Sequence, residues 1–324
     1  MSFELNDKLN MMKKITYYLL YGLTYALSIL PFWVLYGLSD CFYLLVYHVV
    51  RYRRKIVRKN LSASLPEKDE KELRQIEQQF YHWFCDYMVE TIKLLTISNE
   101  KLLQHMELRG MDKMEEAYDR GQNCATLSGH FCNWEWLSAL GLGYKRHTDA
   151  ITGMIYHPLY NEAIDKLFID IRSSHGGTPV PKNDILRFYV KYRQENRQVL
   201  FGYIGDQAPK WENMHLWVDF LNQDTPVFSG GEKIMRKMND AVFYIHGERP
   251  RRGHYIFTFT PIVAEAAKTE EFEITRRFFQ LLEENIRNQP AFYLWSHNRW
   301  KRMREEFNQK YDVIDGRIVR KEGT

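Results

Sequence analysis

The run Leu127-Ser128-Gly129-His130-Phe131-Cys132-Asn133-Trp134-Glu135 joins a histidine and a carboxylate five positions apart, directly after a short apolar stretch and a glycine. An oriented imidazole takes a proton from an alcohol near neutral pH, and a hydroxyl that attacks an activated acyl group needs such a base. On a continuous α-helix, residues five apart are rotated by roughly 140° and do not share a face. His130 and Glu135 therefore meet only if the chain bends between them. Ser128-Gly129 ends an apolar strand, and Asn133 is a good N-cap for a helix from about Trp134 to Leu140. His130 then stands in the turn and Glu135 in the first helical turn, where free N–H groups suit a developing oxyanion. A packing histidine beside a surface ion pair produces the same local pattern.

Other residues could join this chemistry. Arg172 closes a candidate helix ahead of Gly176-Gly177, as a ligand-binding cation or as a charge that complements the helix dipole. Val199–Ile204 runs into Gly205-Asp206-Gln207. A carboxylate and a carboxamide there are well placed for a ligand, because ligands gather at the carboxyl ends of strands in open α/β sheets. A turn ahead of Pro209 would use Asp206 equally well. The stretch Leu294 to Arg302 mixes Trp295 and Trp300 with Arg299, Lys301 and Arg302, a combination suited to a phosphorylated headgroup or an interface. Similar mixing lines grooves for single-stranded nucleic acid. A net charge of only +4 and an apolar N-terminal segment argue against nucleic acid as partner. No pair among the 11 histidines has the spacing of a helical metal site, so a metal-assisted hydrolase is disfavoured and no metal is expected.

These residues need a scaffold. Candidate strands are 124–127, 150–154, 199–204, 242–246 and 255–259, and candidate helices are 134–140, 159–174, 183–195, 230–238 and 274–287. Their alternation predicts an α/β fold with a mostly parallel sheet flanked by helices. An aromatic stripe between Pro66 and Leu95 reads as one more helix, Phe220 to Gly231 as a loop entering a helix, and Lys310–Thr324 as a polar tail.

Ahead of this domain, Ile15 to Ser39 carries no charge over 25 residues, long enough to cross a bilayer. A second apolar piece, Cys41 to Val50, leads into Arg51, Arg53, Arg54, Lys55, Arg58 and Lys59. The expected division is a membrane anchor with its basic flank at 1–58 and a catalytic domain at 59–324. The basic flank places the domain on the cytoplasmic side and attracts anionic membrane lipids. Pro31, Asp40 and the many tyrosines leave a re-entrant or interfacial hairpin open beside a spanning helix. Aromatic residues at 15% fit a chain with one side apolar and the other wet. Four cysteines without metal spacing read as reduced thiols.

The ordered set of motifs resembles the bacterial late acyltransferases of lipid A biosynthesis, the lauroyl/myristoyl transferase group of the lysophospholipid acyltransferase superfamily. The likeness runs from the apolar anchor through Arg53-Arg54-Lys55, Asn60-Leu61, Pro66-Glu67, His130 to Glu135, Arg172 with Gly176, Gly205-Asp206-Gln207 and Arg299-Trp300-Lys301. It departs at Cys132, where the family usually has glycine, and at Phe220-Leu221-Asn222, where it often has Phe-Phe-Gly. The resemblance implies a glycerolipid-acyltransferase-like fold at the bacterial inner membrane. It also implies O-acyl transfer from a thioester of acyl carrier protein or CoA to a lipid A precursor or related glycolipid, with no cofactor. His130 would be the general base, Glu135 its orienting group and Arg172 an oxyanion donor. Asn133, Asp206, Gln207, Arg299 and Lys301 would bind substrate. An amino lipid or lysophospholipid acceptor, and a membrane-tethered lipid-binding protein without catalysis, are the alternatives.

Overall fold

Short runs of β-branched and aromatic residues form the strands, and amphipathic runs form the helices packed along them. The computed structural model describes residues 2–314 and 316–322. The strands are β1 (Met106–Arg109), β2 (Cys124–Ser128), β3 (Ile151–Tyr156), β4 (Thr178–Pro181), β5 (Val199–Ile204), β6 (Leu216–Phe220), β7 (Gln223–Val227), β8 (Ala241–Arg251), β9 (His254–Val263), β10 (Tyr311–Ile314) and β11 (Arg317–Arg320). The helices are α1 (Ser2–Ile29), α2 (Phe32–Tyr43), α3 (Arg54–Ser64), α4 (Glu70–Lys93), α5 (Asn99–His105), α6 (Met111–Asp119), α7 (Glu162–Ser173), α8 (Ile185–Gln194), α9 (Gly230–Met238), α10 (Glu273–Asn288) and α11 (Arg304–Lys310).

Seven strands form one sheet in the order β1-β9-β8-β2-β5-β3-β4. Strands β8, β2, β5, β3 and β4 are mutually parallel. β9 returns antiparallel to β8, and β1 lies parallel to β9, so the two strands at that edge run against the rest. The sheet is thus mostly parallel and flanked by helices. The central strand β2 is buried along its whole length between β8 and β5.

The N-terminal segment packs on this body through one face. Pro31 separates α1 from α2, since a proline ring ends a helix at the preceding turn. On α1, Lys13 pairs with Glu162 and the Tyr17 hydroxyl donates to Asp170, both on α7. On α2, Ser39 Oγ donates to Asp86 of α4 at 2.7 Å, and Asp40 pairs with Arg252 at 2.6 Å. α2 continues as a wider π-type helical segment, Leu44–Val50. The combined stretch Phe32–Val50, 19 residues of mean hydropathy 1.4, is long and apolar enough to cross a membrane, and 28% of it is buried. α4 begins with a capping box in which Asp69 accepts from the Glu72 N–H and Glu72 accepts from the Asp69 N–H.

Three local expectations are corrected. The stretch read as a loop from Phe220 to Gly231 holds the turn and second strand of the β6–β7 hairpin before it enters α9. The helix after Asn133 is a 3-10 helix, Trp134–Gly143, and Asn133 makes no side-chain cap for it. The C-terminal stretch read as a tail carries the β10–β11 hairpin; 315, 323 and 324 lie outside the described residues.

Candidate active site

Parallel pairing sets the site. Ser128 at the end of β2 lies opposite Ile204 at the end of β5. His130 and Asp206 each follow two residues later, so equal offsets from paired strand ends bring them side by side. His130 Nδ1 and Asp206 Oδ1 are 2.6 Å apart, and Gln207 Nε2 stands 3.1 Å from His130 Nε2. With the Nδ1 proton donated to the carboxylate, Nε2 is the basic nitrogen and accepts from the Gln207 carboxamide. Burial pushes the Asp206 carboxyl up, but the adjoining imidazole outweighs it and holds Asp206 below the ordinary carboxylate range.

The turn carrying His130 is held from behind. A Cβ on Gly129 would fall 2.7 Å from the tip of the Leu282 side chain of α10, so a larger residue there would have to push that side chain aside. The chain then zips antiparallel onto 292–294: Leu294 N–H donates to His130 O at 3.1 Å, and Cys132 N–H to Phe292 O at 2.9 Å. Cys132 sits at φ 51°, the left-handed region. Asn222, in the β6–β7 turn, sits at φ 60°. Both positions where the family pattern has glycine are therefore positions whose backbone favours glycine.

Glu135 was expected behind the imidazole; Asp206 is there instead. Glu135 is buried and binds Arg172 bidentately, at 2.7 and 2.8 Å, with Trp134 Nε1 donating to it at 3.2 Å. The swap follows from reach. Glu135 lies in the helix beyond the bend, under the end of α7, whereas Asp206 arrives from the neighbouring strand at the level of the ring. Trp134 itself places its indole edge-on to His130, ring centres 5.0 Å apart.

The other expected substrate contacts divide. Asn133 is fully buried, and its Nδ2 donates to Glu90 of α4 at 2.9 Å. Arg299 is also buried; Nη2 donates to Pro226 O at 2.6 Å, while Nε and Nη1 have no hydrogen-bond partner. Burial pulls its guanidinium down to about 10, although Tyr293 and Asp206 oppose this. Lys301 is exposed.

Two further residues escaped the sequence reading. His297 Nε2 accepts from Ala208 N–H at 3.4 Å, and burial drives its pKa down to about 4, so the ring is neutral beside the dyad. Glu90, read only as a point on an amphipathic helix, also accepts from Tyr255 at 2.6 Å and Tyr36 at 3.0 Å. His297 lies inside the aromatic–basic stretch 294–302 but was given no role there; no local motif marks Glu90, a carboxylate on a helix that the fold buries. Among the described residues, no three of His, Cys, Asp and Glu converge as a metal site.

Fold and site together are those of an α/β protein with a histidine–carboxylate pair at the carboxyl ends of adjacent parallel strands and two N-terminal helices packed on α4. Residues 4–302 match the family described as bacterial lipid A biosynthesis acyltransferase, and the chain belongs to it. It is 21% identical over 295 residues to the lipid A biosynthesis lauroyltransferase of Escherichia coli (strain K12), covering 90% of this chain and 92% of that one. It is 22% identical over 241 residues to the lipid A biosynthesis acyltransferase 2 of Shigella flexneri, covering 73% of this chain and 74% of the relative. Family and relatives indicate an acyltransferase of the lipid A biosynthesis type.

Proposed function

We propose that the protein is an O-acyltransferase in which His130 Nε2 takes the proton of an acceptor hydroxyl on a lipid A precursor or related glycolipid. The single observation that carries this reading is the Asp206–His130 contact, which leaves Nε2 as the basic nitrogen at the open end of the sheet. The hydroxyl oxygen attacks the thioester carbonyl of an acyl carrier protein or CoA donor. The resulting tetrahedral oxyanion collapses with cleavage of the C–S bond, the ester forms, and the thiolate takes the proton from the imidazolium. Asp206 fixes the ring tautomer and stabilises the imidazolium. The Gln207 carboxamide occupies the place of the hydroxyl and moves aside for it. Glu135 acts through Arg172: two guanidinium N–H groups are engaged, and the others would serve the oxyanion together with the opening N–H groups of the Trp134–Gly143 helix. No cofactor takes part.

The membrane reading belongs to the same proposal. The exposed side of α1, α2 and the π-type segment carries Leu19, Leu23, Trp33, Val49 and Val50, while Asp40 and Asp86 lie with Arg252 along the docked side of α2. Charges halfway along a spanning helix are costly in hydrocarbon. This favours a hairpin lying in the cytoplasmic interface of the bacterial inner membrane.

Mass spectrometry of lipids from a strain lacking the protein, complemented with wild type or His130→Ala, tests the function. One glycolipid should lose a single acyl chain that only wild type restores. A change confined to an amino lipid or phospholipid would move the acceptor. An unchanged profile in a strain with no redundant acyltransferase would sink the proposal.

A further inference from the structure

A row of aromatic rings leads away from His130 along α4. Trp134 stands 5.0 Å from the imidazole, and Tyr87 lies 4.1 Å from Trp134. Phe84 stacks next at 6.4 Å and 23°, and Tyr52 closes the row at 6.2 Å and 11° from Phe84. Phe84 and Tyr87 are half-buried, and Tyr52 and Met88 are each 38% exposed. The spacing from 84 to 87 and 88 puts these side chains on one face of the helix. A helix face with so many large apolar groups left partly open is unusual unless something covers it.

The two ends of the row say what covers it. The inner end is the proposed base. The outer end is Tyr52, two residues after Val50; Val49 and Val50 are 72% and 60% exposed at the end of the π-type segment. Around Tyr52 stand exposed Arg51, Arg53 and Lys55, a cationic collar at the height of anionic headgroups. A donor thioester arrives from water on its carrier. An acceptor glycolipid is already anchored in the bilayer and must reach His130 without drawing its chains through water.

We propose that the row Tyr52–Phe84–Tyr87–Trp134 is a track on which one acyl chain of the membrane-borne acceptor lies as its hydroxyl reaches His130. This rests on the transfer reading above and adds the path and its ligand class, a saturated hydrocarbon chain. Polar side chains on the track should penalise long-chain acceptors selectively.

The test compares Phe84→Ser and Tyr52→Ser with wild type, using a lipid A precursor in mixed micelles and an analogue with six-carbon chains. Each substitution should lower the ratio of kcat/KM for the long- over the short-chain acceptor about fivefold or more, through KM. Phe84→Leu should restore it, and preference for donor chain length should stay as in wild type. An unchanged ratio, or a shift in donor preference instead, overturns the proposal. A second measurement needs no turnover: a glycolipid with a diazirine at its chain end is photo-crosslinked to the protein in vesicles. Labels within 49–52 and 84–88 support the track, and labels elsewhere overturn it. If wild type transferred nothing to either acceptor, the transfer reading would fall, and the crosslink would still decide the track.

Discussion

At the residue scale, the site is a division of labour between two carboxylates. Asp206 serves the imidazole and Glu135 serves a guanidinium. His130→Ala should abolish transfer while the protein keeps its circular dichroism and melting temperature; a folded variant with near-wild-type turnover would remove His130 from the mechanism. Asp206→Asn keeps the shape but favours the wrong ring tautomer, so kcat should fall about 10²–10⁴-fold with KM little changed. His130 was legible in the sequence because a strand, a glycine and a bend are local features. Its partner was not, because both carboxylates were visible and the choice between them was made by the β2–β5 register, a contact across 76 positions. The non-glycine residue at φ 51° offers another test. Cys132→Gly and Cys132→Ala both lose the buried thiol, but only glycine relieves the left-handed backbone. Glycine should therefore be the more stable of the two by about 1 kcal/mol in urea unfolding, the reverse of its usual rank.

At the scale of elements, α4 is the bridge between the N-terminal helices and the site. Asp86 accepts from Arg249 at 2.6 Å and pairs with Arg252, which also holds Asp40 of α2; one turn on, Glu90 holds Asn133. Asp86→Ala leaves the largely buried Arg249 short of its main partner and should cost about 3 kcal/mol or more in denaturant unfolding. Away from the site, Asp240 lies between α9 and β8. Burial pushes its carboxyl up to about 7, opposed only by the Tyr189 hydrogen bond. The folded state therefore holds this proton more tightly than the unfolded chain, and stability drops as pH rises from about 4 to 7. Asp240→Asn should raise the melting temperature most at pH 8 and little at pH 4, with a ceiling of about 4 kcal/mol. The long buried strands were readable from their apolar runs, since β2, β5 and the cores of β8 and β9 each exceed the noise of single residues. The edge strands β1 and β4 were not. Each has four residues, and β4 carries two prolines, which suit an edge but hide a strand signal. Nor does composition tell the direction of a strand: β9 reverses because Arg252-Gly253 makes a tight turn.

At the scale of the molecule, one apolar side, the basic collar and the open end of the sheet are carried by the same few elements. Vesicles with anionic lipid should bind the protein more strongly than neutral ones, with the excess lost as salt rises; equal binding to both would remove the collar from the account. Segments far apart in the chain also meet at the loop behind the site. Asn60 of α3 donates to the carbonyls of Trp295 and His297, and Arg53 to that of Ser296, so the loop that buttresses His130 is gripped by residues some 235 positions earlier. This has a bearing on biogenesis. α3 is made some 235 residues ahead of its partners, a lag of roughly 12–50 s at ordinary rates of synthesis. Until then the turn that carries His130 has no backing from residues 292–297. The histidine–carboxylate pair therefore gains its backing only when both partners of this contact have been made.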